Sequence, residues 1–535
     1  MSSLDTIPPE RGDSRGVAPA TTVPLLVVIT VVLSIVTITG VFVISDDVEE
    51  SPPQTVVGVE SHSDGMLRIT HEGGDPLQTE DLSVVGPDTE RDQFGDRTLT
   101  AGESIDVAIE ESGTASVVWE SGDTSTTLEE FQAPGMGNWT ELRTKLKNDE
   151  DITLQHDYTL NSANYNKEVG SGWDPIEYSG VLDGNGHEIR DINITEPSDS
   201  EVGFIKRLEG EIKNLDVTNF TVIGAKDVGF ISDSPGGTVS NVNIEDATVN
   251  STGVGNPKYS KGGILVGDND GTIQDSSVSG TVEGENQSVG GLVGEHTGTI
   301  IDSSADGNVK GDNKSVGGLV GTSYGKIIDS SADVSVTGAD WDVGGLVGNS
   351  FGNITESYAT GDVTGGEYYT GGLVGSHYGN ITESYATGDV DGEKRVGGLA
   401  GHNRISWYNN SVTITDSYAT GDVSASEDWV GGLVGLNKGK IETSFAVGEV
   451  TGASYVGGLV GDTRDRGVNN VTDSYWDTDT TGQSNSDGGT NLTTADMTGS
   501  GALNNMVVSS SVWGTTGDYP VLQALDEQTE LDARD

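Results

Sequence analysis

The pentad Gly-Gly-Leu-Val-Gly begins at Gly290, Gly317, Gly344 and Gly371, an unbroken spacing of 27 residues. It returns as Gly-Gly-Leu-Ala-Gly at Gly397 and as the full pentad at Gly431 and Gly457, with a looser copy at Gly262. Fainter copies are Val228-Gly229-Phe230-Ile231 and Val202-Gly203-Phe204-Ile205. A pattern that recurs at a fixed period belongs to stacked units, none of which owns a core of its own. The unit has short β runs and glycine at its corners, and no apolar-periodic segment long enough for a helix hairpin. One repeat therefore reads as one coil of a parallel β-solenoid.

The second half of the unit repeats as well. Ile354 to Val363 returns as Ile381 to Val390 and as Ile414 to Val423. Stacked coils lie about 4.8 Å apart, so about eleven of them make a rod about 50 Å long. Matching positions then form ladders. Leu292, Leu319, Leu346, Leu373, Leu399, Leu433 and Leu459 give an interior apolar column. Ser276, Ser303, Ser330, Ser357, Ser384, Ser417, Ser444 and Ser474 give a second column, small, inward and bonded along the stack.

These motifs resemble the GLUG repeat family. The resemblance implies a right-handed parallel β-helix of the pectin-lyase type on a cell surface. It extends upstream to Trp173-Asp174-Pro175-Ile176 and Gly180 to Ile189, and downstream from Ser474-Tyr475-Trp476 to Tyr519-Pro520, covering about 136–525. The expected division is β-helix over 132–485 and C-terminal cap and tail over 486–535. Residues 139–147 read as a short amphipathic helix closing the first coil.

The region before the array has a different character. Leu25 to Ile44 is a stretch of 20 residues without charge. At 1.5 Å per residue it covers about 30 Å, the thickness of a bilayer core. Arg11 and Arg15 precede it and Asp46, Asp47, Glu49 and Glu50 follow it. Positive charge stays inside, which places everything after residue 45 outside. Arg15-Gly16-Val17-Ala18-Pro19 resembles the leader of archaeal type IV pilin-like proteins. The resemblance implies a leader over 1–16 cut by a prepilin peptidase between Gly16 and Val17, a retained helix over 17–45 and a link to pilus machinery. An uncut signal anchor gives the same topology. After a linker (46–54), residues 55–131 alternate in short runs broken by glycine pairs, as in a small antiparallel β-sandwich. They resemble the β head of haloarchaeal pilin-like proteins.

The chain of 535 residues carries 85 Asp+Glu against 27 Lys+Arg, a net charge of −58, and no cysteine. That charge excludes nucleic acid as a partner, because binding needs cations to neutralise phosphates. Absence of cysteine excludes disulfides and thiolate chemistry. Uniform acidity becomes tolerable under strong screening, about 3 Å of Debye length at 1 M salt, and points to a halophilic setting.

Three features are candidates for chemistry. Aromatic stripes run at Tyr358, Tyr385, Tyr418, Phe445 and Tyr475, and at Tyr324, Phe351 and Tyr378. Strand alternation turns the first outward, so either stripe stacks on sugar rings or its rings brace one another. Carboxylates at Asp275, Asp302, Asp329, Glu356 and Glu383 form a ladder that either holds Ca²⁺ or is a solvated turn. The longer spacing between Gly397 and Gly431 accommodates a projecting loop, and Arg395, His402, Arg404, Trp407 and Tyr408 form a candidate binding loop there. His71-Glu72 and His187-Glu188 lack the second histidine of a zinc protease motif, since Asp75 and Asp191 stand in its place. No catalytic set and no cofactor is assigned. Eleven Asn-x-Ser/Thr sites, among them Asn193, Asn353 and Asn491, fit an exterior surface. The expectation is a surface adhesin or structural rod. A polysaccharide lyase or hydrolase and a minor pilin-like filament component are the alternatives.

Overall fold

The computed structural model describes residues 52–525, except 62–65, 87–96, 109–112, 122–123, 134–138, 161–175, 197, 199–200, 255–259, 286, 313, 406–411, 464–469 and 516. The Gly16–Val17 junction, the apolar stretch from Leu25 to Ile44, and Trp407 and Tyr408 lie outside the described residues. Among the described residues no helix is long and apolar enough to cross a membrane.

Residues 55–133 form an antiparallel β domain. One sheet pairs Thr55–Ser61 with Met66–Gly74 and then Ser104–Ala108, and the other joins Leu82–Val85, Gly113–Ser121 and Thr124–Ala133. Alternating apolar residues from both sheets, including Val57, Ile69, Val84, Val117 and Trp119, close on one core. This is the layered arrangement that period-two patterning demands.

The array folds as a parallel β-solenoid, and one of its faces carries eleven strands. A representative coil runs through Ser288–Gly290, Val293–His296, Thr299–Ile301 and Ser304–Gly311. The next coil repeats it in register, with Val289 opposite Val316, Val293 opposite Val320, Ile300 opposite Ile327 and Val309 opposite Val336. Each Leu of the pentad column is fully buried, and one continuous core runs from Leu142 to Trp476. The register survives the longer spacing, since Val374 pairs with Ala400 and Ala400 with Val434.

Glycine at the end of the pentad is a steric requirement. A Cβ on Gly348 would stand 2.5 Å from the amide nitrogen of Val316 in the preceding coil, and one on Gly375 would stand 2.5 Å from that of Val343. Only a residue without Cβ lets the two strands approach so closely.

Both ends of the solenoid are covered, as an exposed sheet edge requires. The helix Trp139–Lys147 buries Leu142 and Leu146 in the cluster that holds Ile176 and Leu182. At the other end Trp476 lies against Gly458, and its Nε1 donates to the Gln483 carbonyl at 2.9 Å. Short helices at Thr494–Met497 and Ala502–Asn505 and a hairpin of Trp513–Thr515 with Pro520–Leu522 follow.

Candidate functional site

The serine column has the expected geometry. The amide of Ser330 donates to Ser357 Oγ at 3.2 Å, and that of Ser357 to Ser384 Oγ at 3.2 Å. Each hydroxyl in turn donates to the carbonyl two residues earlier, Ser357 to Thr355 at 2.8 Å. The residue just before each serine is left-handed. Asp275, Asp302, Asp329, Glu356 and Glu383 have φ of 50°, 47°, 47°, 49° and 48°. Asp tolerates this region better than most residues because its short side chain bonds locally. The corner thus accounts for Asp275, Asp302 and Asp329, though not for the longer Glu356 and Glu383, and the described residues hold no group of three or more His, Asp or Glu side chains arranged to bind a metal. Burial and its neighbours Asp329 and Asp275 raise the Asp302 carboxyl, and burial followed by Asp329 raises Glu356.

The first aromatic stripe is a correction. Tyr358, Tyr385, Tyr418 and Phe445 stack at 4.9, 4.9 and 5.1 Å with nearly parallel rings. They do point off the strand, yet Tyr385, Tyr418, Phe445 and Tyr475 are buried and only Tyr358 is half-exposed. Met497, Met506, Trp513, Leu522 and Leu525 of the C-terminal segment lie over them. Four of the five rings are thus a second core and are closed to a glycan.

The second stripe is open. Tyr324 is 52% and Phe351 39% exposed, while Tyr378 is half-buried. Their rings stack at 4.8 and 4.7 Å, and the Arg404 guanidinium continues the stack 4.8 Å from the Tyr378 centroid. This row forms one wall of a crease between two faces of the solenoid. The floor is the tightly approached glycine column of Gly348, Gly375 and Gly401. The other wall is the residue two places before each pentad: Ser288, Ser315, Asp342, Tyr369, Arg395, Trp429 and Tyr455. Side chains meet across the floor with an offset of one coil. Ser288 Oγ lies 2.8 Å from Thr322 Oγ1, Lys261 Nζ lies 3.1 Å from Glu295, and the Tyr369 ring lies 5.1 Å from that of His402.

Arg395, His402 and Arg404, separated in the sequence by the pentad, converge here. Arg395 lies between the Tyr369 and Trp429 rings at 5.0 and 4.6 Å, and Arg404 reaches the opposite wall at 5.8 Å from Tyr369. Such contacts compensate a cation for lost water. Asp342 is 7% exposed, and no hydrogen bond reaches its Oδ1. Burial pushes its carboxyl up to about 7, against the downward pull of Ser376, Arg404 and Lys314. Sequence reasoning missed Asp342, Tyr369, Ser376 and Trp429. Their signal was two positions flanking the pentad that change from coil to coil, the one two places before it for Asp342, Tyr369 and Trp429 and the one directly after it for Ser376.

Two stretches, Gly321 to Gly325 and Gly348 to Gly352, spell the G-x-S-x-G of a nucleophile elbow. Ser323 and Ser350 are buried at the ends of parallel strands, without the strand-to-helix turn that exposes such a serine.

Residues 285–310, 312–337, 339–364 and 366–391 match the family described as "The GLUG motif". These four repeats are GLUG motifs. Over 115 residues the chain is 34% identical to Halomucin of Haloquadratum walsbyi, covering 19% of this chain and 1% of Halomucin. Over 74 residues it is 49% identical to a protein of Evansella cellulosilytica named as a Gly-rich membrane protein, covering 13% of this chain and 8% of that protein. The chain therefore spans a small fraction of either relative. Among solved structures, one described as an immunoglobulin A1 protease of Bacteroides ovatus aligns at 16% identity and a TM-score of 0.33, over 69% of this chain and 93% of that one. A second, an IgA1 protease, aligns at 14% and 0.32, over 75% and 29%. Scores this low carry no argument.

Proposed function

We propose that this is a cell-surface protein, anchored by its N-terminal apolar stretch or built into a filament, whose solenoid binds polysaccharide along the crease. The observation that carries the reading is the open row Tyr324–Phe351–Tyr378–Arg404, stacked in register opposite a wall that carries Ser315, Asp342 and Tyr369. The exposed ring edges of this stack form an apolar strip with polar groups beside it, against which a sugar chain can pack. GLUG repeats, and relatives named as a halomucin and as a membrane protein, fit a surface location. The acidity supports a halophilic setting. For Ca²⁺ the corner carboxylates Asp275, Asp302, Asp329, Glu356 and Glu383 are the residues to test.

One observation favours an enzyme instead. Asp342 is a buried carboxyl raised to about 7 beside an arginine, as a general acid or base would be. A single experiment separates the two. Full-length protein is incubated with neutral and acidic polysaccharides, and bound chains and newly released chain ends are read from the same samples. Retention without new ends supports the binding role. Ends that accumulate in the wild type and vanish in Asp342→Asn support a lyase or hydrolase. Absence of both refutes the polysaccharide reading and leaves filament assembly, tested by the protein's presence in sheared filaments.

A further inference from the structure

Between residues 176 and 525 the described arginines are Arg190, Arg207, Arg395 and Arg404. The first two are held by carboxylates. Arg190 meets Asp157 at 3.3 Å and Glu188 at 2.7 Å, and Arg207 meets Glu209 at 3.0 Å and Asp233 at 2.9 Å. Partly buried lysines of the solenoid behave likewise, Lys394 with Glu427 at 2.7 Å and Lys261 with Glu295 at 3.1 Å. Arg395 and Arg404 form no ion pair with any described carboxylate. In a chain of net charge −58 that is a costly placement for two half-buried cations, since Lys310, Lys314, Lys326 and Lys440, which also lack an ion pair, are exposed. The two guanidiniums are instead held by aromatic rings and share the Tyr369 face, at 5.0 and 5.8 Å. Nε and Nη1 of Arg395 are buried against those rings without a hydrogen-bond partner. A guanidinium stacked on a ring keeps its planar fork of donors fixed for a carboxylate or sulfate.

We infer that the crease from Phe351 to Trp429 selects acidic polysaccharide, with a sugar packed against the exposed ring edges of the Phe351–Tyr378 stack and its carboxylate or sulfate on Arg404, Arg395 lying behind. The inference rests on the polysaccharide-binding reading and adds the chemical class of the ligand. It runs against the overall charge, which repels polyanions. At about 1 M salt the Debye length is about 3 Å, so the distant repulsion is screened and direct contacts decide.

The test uses detergent-solubilised full-length protein in high salt with three probes: polygalacturonate, a sulfated galactan and a neutral galactan. Affinities are compared for wild type, Arg404→Gln and Phe351→Ala, with Arg207→Gln as a cation removed elsewhere on the rod. At least one acidic probe should bind tighter than the neutral one. Arg404→Gln should weaken it roughly 10- to 100-fold, the worth of a hydrogen bond to a charged group, and weaken neutral binding by a clearly smaller factor. Which acidic probe responds distinguishes carboxylate from sulfate. Equal loss in Arg207→Gln, or none in Arg404→Gln, overturns the inference. If neutral and acidic chains bind alike and Phe351→Ala abolishes both, charge selection falls and the binding reading stands. If no probe binds, both fall. Near-ultraviolet circular dichroism of each variant confirms that the fold is retained.

Discussion

Replacing Trp513 by alanine should release the C-terminal segment and leave the rod intact. Trp513 is fully buried, its ring 5.5 Å from Phe445 and 6.0 Å from Tyr418, and its Nε1 donates to Asp416 Oδ1 at 3.0 Å. Removing a buried tryptophan costs about 3–5 kcal/mol. What remains is a two-stranded hairpin and two helices of four residues, elements that are marginal by themselves. The loss therefore exceeds what the rest of the segment can hold. A solenoid's stability is a sum of local and nearest-neighbour terms, so the damage should stay near the last coils. Hydrogen exchange should show lost protection at the amides of Met506 and of residue 513. The amides of Val293, Val320 and Val347, bonded to the next coil, should be unchanged. The same variant should bind a hydrophobic dye, as Tyr385, Tyr418 and Phe445 become wet. Loss spread evenly along the rod, or full protection at Met506, would refute the reasoning.

Gly348→Ala should cost about 1–3 kcal/mol by overpacking, since its Cβ would meet the Val316 amide nitrogen at 2.5 Å, and urea unfolding monitored by exchange should place the loss in the two coils concerned. Ser357→Ala removes a donor to Thr355 and leaves the buried Ser330 amide without its acceptor, a cost of about 1–3 kcal/mol measurable by the same method. Burial lowers His377 to about 3 and His296 to about 4, so the unfolded chain binds more protons than the folded one from the usual 6.5 down to those values. Their contribution is complete above about 6.5 and lost as pH falls, and His377→Ser should flatten that acid limb in a series of melting curves. Asp342 has the opposite sign: its raised carboxyl contributes fully below 3.8 and loses that contribution as pH rises through about 7. Asp342→Asn should therefore gain stability over wild type at pH 8 and lose that advantage at pH 4.

The repeat was legible because every coil spends the same residue types on the same geometric needs. Leucine in the core, serine bonding upward and glycine at the close approach each recur, so a 27-residue period exposes them at once. The end helix with Leu142 and Leu146 was legible from its spacing. The fate of Tyr385, Tyr418, Phe445 and Tyr475 was not. Alternation says which way a side chain leaves the strand, but what lies over it comes from residues 497–525, outside the period. The corner carboxylates carry two meanings for a related reason, since a left-handed backbone and a metal ligand both favour Asp. In the crease, Arg395 and Arg404 stood out as rare cations. Asp342, Tyr369 and Trp429 were hidden because ladder reasoning looks for sameness, and theirs is the place where the coils differ.

Ala400 still pairs with Val434 although the residues between them include several that no neighbouring coil has. The frame thus separates two variables that most folds couple. Insertions after the outer aromatic position change what stands beside the rod and leave the spacing of coils alone. Duplication of a whole unit changes reach by about 4.8 Å and leaves the chemistry of existing coils alone. Length and decoration can then be altered one at a time, with each new coil meeting only two neighbours.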